Sequence, residues 1–154
     1  MKQTKLLNIA QKNMQAGVIT GAGFLGNDRR NLIDILDADF RTVASLGLTH
    51  NKIAETMEKF RKHAESGLGE FISIAPHFEA RIDAVRGKLP CPFEDRGLIS
   101  KTSIMVKNLF LKKEIIYTDM HIHLINIHGF YQGKRSLFRL DPEIIAEILE
   151  IIPG

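Results

Sequence analysis

The stretch TSIMVKNLFLKKEIIYTDMHIHLINIHGF, Thr102–Phe130, decides the fold. In its first half TSIMVKN and EIIYTD are short, β-branched, alternating runs around a polar turn at Leu111–Lys113, the pattern of an antiparallel hairpin. Its second half fits two periods. Thr118 or Asp119 as an N-cap and Gly129 as a stop favour a helix, whereas the isoleucine alternation favours a strand. The capping signals make helix the preferred expectation. The choice also governs chemistry, because this segment holds three of the six histidines: His121, His123 and His128.

Upstream of the hairpin, EFISIA and HFEARIDAV read as two further strands divided by Pro76, and GKLPCPFEDRG reads as a turn-rich loop. Further upstream the period becomes helical. TKLLNIAQKNMQAG sets Leu7, Ala10 and Met14 at helical spacing, with Gly17 as its stop. NDRRNLIDIL offers Asn27 as an N-cap, and a separate short helix follows Asp39, carrying Phe40, Val43 and Leu46. THNKIAETMEKFRKHAESG is the clearest helix. Thr49 caps it, Ile53, Met57, Phe60 and Ala64 form one stripe, and Glu55–Lys59 and Glu58–Lys62 are i,i+4 pairs. The chain closes on a helix opened by Asp141, Pro142 and Glu143.

Helices first, strands next and a helix last predict an α+β fold: a helical N-terminal half packed on a small antiparallel sheet or hairpin, with a C-terminal helix. At 154 residues the expectation is a single domain, 1–154, helical over about 1–67, β-rich over about 69–140 and helical again over about 141–152. One cysteine, Cys91, excludes an internal disulfide framework and suits a reducing compartment. No stretch has signal-peptide or membrane-span character, so a cytoplasmic protein with no membrane partner is expected.

Charge is uneven. Residues 101–139 carry seven Lys or Arg against two acids, and residues 140–154 carry four acids and no base. A basic stretch attracts phosphate or nucleic acid, but an acidic neighbouring helix can also neutralise it. Nucleic-acid binding through 101–139 is therefore a lesser expectation than a small anionic ligand or a protein partner. Within this region GFYQGKRS departs from the phosphate-binding P-loop in both glycine spacing and the residue after Lys134. It still gathers donors, and His128, Gln132, Lys134, Arg135, Ser136 and Arg139 form the candidate anion or carboxylate site.

Two short resemblances bear on cofactors. ITGAGFLG, Ile19–Gly26, resembles the opening of the short-chain and extended dehydrogenase/epimerase families. That resemblance implies a strand before the loop, a helix from it, and a second strand ending in an acid for the ribose. A helix precedes it and no second strand follows before Ser66, so the expectation is a loop crossing closely over other backbone, and NAD is not expected. The segment Asp119-Met120-His121-Ile122-His123 resembles the D-x-H-x-H of amidohydrolase and phosphoesterase barrels, which implies a divalent metal. Only 31 residues follow His123, too few for that barrel.

A local zinc site is a separate matter. In a strand His121 and His123 share a face and can chelate; in a helix they stand about 200° apart. The candidate metal ligands are His121, His123, His128 and Cys91. The functional expectation is a small binding or interaction protein, with a metal-dependent enzyme built on the histidines as the alternative. The helix opened by Thr49 lacks the turn that a helix-turn-helix needs after it, and no activated nucleophile is evident.

Overall fold

The computed structural model describes residues 2–95 and 97–154. Three helices come first: α1 Lys5–Asn13, α2 Leu32–Ser45 and α3 His50–Glu65. Six strands follow: β1 Ile72–Ile74, β2 Phe78–Asp83, β3 Lys88–Pro90, β4 Leu98–Ser100, β5 Ser103–Asn108 and β6 Lys113–Thr118. Two helices close the chain, α4 Asp119–His128 and α5 Pro142–Leu149. Four strands form an antiparallel sheet in the order β1-β2-β5-β6, and β3 and β4 pair apart from it. The fold is α+β.

Period-two patterning explains the sheet. In the β5–β6 hairpin Ile104 opposes Tyr117 and Val106 opposes Ile115, and all four side chains are buried. Phe78 and Ala80 of β2 continue that face, and the stripe Ile53, Met57, Phe60 and Ala64 of α3 packs on it. The Tyr117 hydroxyl donates to the Met57 carbonyl at 2.8 Å, which satisfies a buried polar group between helix and sheet. On the opposite face Lys107 and Arg81 lie against the Phe71 ring.

A second apolar cluster joins Ala10 of α1, Met14 at its C-cap, Phe24 and Leu25, Leu32 and Ile35 of α2, Cys91, Met120, Leu124 and Phe130. Helix α4 lies between the two clusters, giving Ile125 to the first and Met120 and Leu124 to the second. A helix buried on several sides needs no single apolar stripe, which is why Asp119–His128 reads ambiguously as a sequence. Its ends are well defined: the Thr118 hydroxyl accepts from the His121 amide, and Gly129 takes the left-handed conformation at φ 61°.

Besides α1 ending at Asn13 with Met14 as its C-cap, ahead of Gly17, two local expectations differ from what is found. Helix α2 begins at Leu32 behind Asn31, not at Asn27, and runs unbroken through Asp39 to Ser45. The Asp28 carboxylate is engaged by Arg30 and by the Lys134 amide, which holds residues 27–30 out of the helix. The first amides of α2 already have acceptors, since Leu32 donates to Gln11 Oε1 and Ile33 to Gln3 Oε1. The second difference is the pairing of Lys88–Pro90 with Leu98–Ser100 inside and just after the turn-rich loop. Three residues a side, one of them proline, leave little periodic signal.

The glycine-rich loop does cross closely over other backbone. Helix α1 precedes it and no strand delivers it. A Cβ on Gly23 would stand 2.6 Å from the Met14 carbonyl oxygen, and one on Gly26 would stand 2.4 Å from the Ser136 amide. Gly133 meets the same loop from the other side, with its Cβ position 2.3 Å from the Leu25 carbonyl oxygen. Both Gly23 and Gly26 have positive φ, so packing and conformation together account for these two glycines.

Candidate metal centre

The loop between β3 and β4 lies against the C-terminal half of α4. Cys91 and Asp95 come from the loop, and His123 and His128 come from the helix. Their ligand atoms all lie within 4.8 Å of one another. Cys91 Sγ is 3.8 Å from His128 Nε2, and the Asp95 carboxylate lies 2.8 Å from His128 Nε2 and 3.2 Å from His123 Nε2. Five residues of ideal helix separate two side chains by about 140° and about 7.5 Å of rise. The two rings nevertheless close to a centroid distance of 5.5 Å, with Asp95 bridging them from outside the helix.

Local structure holds each member in place. A turn closes the loop through the Glu94 amide and the Cys91 carbonyl, and Asn13 of α1 donates to the Pro92 carbonyl and to Glu94. Phe93 stacks on His128 with ring centroids 3.8 Å apart and planes 7° from parallel, which fixes that imidazole. Cys91 and His123 are buried, His128 is partly buried, and Asp95 is the most exposed of the four.

Electrostatics bind the group together. Burial, with a hydrogen bond to Asp95, pushes the Cys91 thiol up to about 12. Partial burial opposes ionisation of Asp95, yet hydrogen bonds from Cys91, His123 and His128 carry its carboxyl down to about 2. Burial lowers His128, and the Asp95 charge works against that shift. The arrangement is one carboxylate surrounded by three groups that lend it protons. A divalent cation placed among them would replace those protons, because thiolate, imidazole and carboxylate are all metal donors once deprotonated.

His121 takes no part in this group. It is buried on another side of α4, where its Nε2–H donates to the Phe138 carbonyl at 2.7 Å and its Nδ1 accepts from the Thr118 amide at 3.0 Å. Of the four metal ligands expected from sequence, three come together, and Asp95 joins them. The signal for Asp95 was its position four residues after Cys91, matched by a second pair five apart in His123 and His128. That is close to the two-pair spacing of structural zinc sites, with a carboxylate in place of a second cysteine.

The six donors of the candidate anion site are directed to several partners. His128 faces Asp95. The Arg139 guanidinium makes two bonds to the buried Asp39, at 2.8 and 3.0 Å, and also engages Asp141 and the Gln132 carbonyl. Ser136 donates to the Gln132 side chain. The Lys134 amide donates to Asp28, and the side chains of Lys134 and Arg135 are exposed. On the basic hairpin, Lys113 pairs with Glu147 of α5, so the acidic last helix meets the basic strand. Among the described residues no helix is long and apolar enough to cross a membrane. No family model matches the chain, and no match to it was found among curated proteins or solved structures.

Proposed function

We propose that this protein binds one zinc ion through Cys91 Sγ, Asp95, His123 Nε2 and His128 Nε2. The observation that carries the proposal is the convergence of four chemically suitable ligand atoms, from two elements, within 4.8 Å. A tetrahedral zinc with Zn–S about 2.3 Å and Zn–N about 2.0–2.1 Å puts its sulfur and nitrogen ligands about 3.5 Å apart. The Cys91–His128 separation of 3.8 Å needs only a small contraction to reach that value. A donor set mixing one thiolate, two imidazoles and one carboxylate suits a borderline-soft ion, and it argues against magnesium or calcium, which take oxygen.

Four protein ligands fill a tetrahedron. The ion therefore acts as a staple, holding the Cys91–Asp95 loop and the β3–β4 pair on α4, in place of a Lewis acid with an open position. The function that follows is that of a zinc-stabilised binding domain.

Metal analysis tests this. Protein purified without chelators or a histidine tag is expected to hold about one zinc per chain, and Cys91→Ser and His123→Ala each to lose it. His121→Ala is expected to retain the full complement. Absence of stoichiometric metal in the wild type, even after zinc is supplied and the excess removed, would overturn the proposal.

A further inference from the structure

A second feature lies on the other side of α4 from the proposed zinc ligands. A cleft of about 470 Å³ opens between the glycine-rich loop Thr20–Phe24, the β3–β4 pair and Phe138. Val85, Leu89, Phe24, Met120 and Phe138 make its wall mostly apolar, and its size is that of a small-molecule pocket. Two polar groups on the lining stand out.

Gln132 lines the cleft and is only 4% exposed. Its Oε1 accepts from the Ser136 hydroxyl, and that hydroxyl in turn accepts from the Phe138 amide. Its Nε2 makes no hydrogen bond among the described residues, although no side-chain atom that is fully shut off from solvent lacks a partner. The Gln132 amide nitrogen therefore keeps a small opening, and Gln132 is one of the residues lining the cleft. Lys101 is the second group. Among the described residues it is the only lysine or arginine on the lining, no acidic residue lines the cleft, and Lys101 forms no ion pair. A nearly buried donor without an acceptor and a cation without a counterion are complementary to the same chemistry, an anionic oxygen on an apolar body.

We infer that this cleft binds a small amphipathic carboxylate, its apolar chain or ring against Phe24, Leu89 and Phe138 and its carboxylate facing Lys101 and the Gln132 amide. The glycine-rich segment that resembles a dinucleotide turn would then serve a ligand in another way. Gly21 has nothing within 4 Å of its Cβ position, so it leaves the cleft rim open while Gly23 and Gly26 pack. No proposed metal ligand lines the cleft, although the β3–β4 pair that zinc would hold on α4 forms one of its walls.

Octanoate is a suitable probe, compared with octan-1-ol and octylamine by backbone amide NMR on the full chain. Octanoate is expected to shift the amides of Gly21–Phe24 and Ser103 saturably with a Kd of about 1 mM, the range for ten heavy atoms. Octanol is expected to bind about tenfold more weakly and octylamine more weakly still. Lys101→Met, a change at an exposed side chain, should weaken octanoate about tenfold, leave octanol unchanged and keep the rest of the spectrum. Gln132→Leu should weaken octanoate as well. Octanoate shifts that fail to saturate by about 10 mM, shifts confined to another surface, or equal octanoate affinity in Lys101→Met would each overturn the inference.

Discussion

Cys91 Sγ stands 3.8 Å from His128 Nε2, although 37 residues separate the two in sequence. Nothing in the apolar packing of Cys91 requires an imidazole there, and the Asp95 carboxylate completes the contact from the same loop. If the pair is part of a zinc site, zinc should stabilise the fold by mass action. At free zinc a thousandfold above Kd, the gain is about 4 kcal/mol. Thermal or urea unfolding of the wild type with zinc and with chelator should differ by about that amount, and Cys91→Ser should show no difference. Equal stability of the wild type in both conditions would count against the site.

The glycines of the G-x-G-x-x-G segment should respond unequally. Gly26→Ala forces a methyl to within 2.4 Å of the Ser136 amide at a φ of +60°, so it should destabilise by more than about 1 kcal/mol. Gly21→Ala meets nothing within 4 Å at an ordinary φ and should be neutral or stabilising by up to about 1 kcal/mol. Urea unfolding of the two variants checks the contrast. Equal losses would show that the loop is constrained by something besides the crossing.

The Asp39–Arg139 pair should be strongly coupled. Asp39 is 5% exposed and receives two guanidinium bonds from a residue 100 positions away. Asp39→Ala leaves a largely buried arginine short of its counter-charge and should cost about 3 kcal/mol. A double-mutant cycle with Arg139→Ala should return a coupling of at least about 1 kcal/mol. Additive losses would mean that Arg139 relies on Asp141 and the Gln132 carbonyl instead.

Acid should loosen the joint between the glycine-rich loop and the segment after α4. The side-chain bond from Arg30 holds the Asp28 carboxyl well below the usual carboxylate range; burial opposes this and the Lys134 amide assists it. A carboxyl whose folded pKa is depressed binds protons more tightly when unfolded. Its stabilisation is thus fully present above the unfolded pKa and is lost as pH falls below about 4 toward the folded value. Asp28→Asn should therefore unfold with a shallower dependence on pH between about 5 and 2 than the wild type. Identical slopes in the two proteins would contradict the assignment.

The parts of the fold that were legible in the sequence are those where one residue has one task. Thr49, Thr118 and Gly129 terminate helices through their own side chains or backbone, and the β5–β6 hairpin alternates because one face is buried. The α2 boundary was hidden because it depends on partners far along the chain, Gln3, Gln11 and Lys134. The candidate centre was half legible. Histidines clustered around His123 and His128 are visible in any sequence, and Cys91 is the one thiol. Asp95 is one acid among 18, and its spacing of four residues from Cys91 gains meaning only once that loop docks beside His123 and His128. His121 was indistinguishable from its neighbours until the helix placed it on a different side, on the Thr118 amide and the Phe138 carbonyl.

X-ray absorption at the zinc edge of the loaded protein tests the central claim most directly, because it counts the atoms bound to the ion. The expected first shell is one sulfur at about 2.3 Å and three nitrogen or oxygen atoms at about 2.0–2.1 Å, with the sulfur lost in Cys91→Ser. A shell without sulfur, or one of six light atoms unchanged by Cys91→Ser, would contradict it.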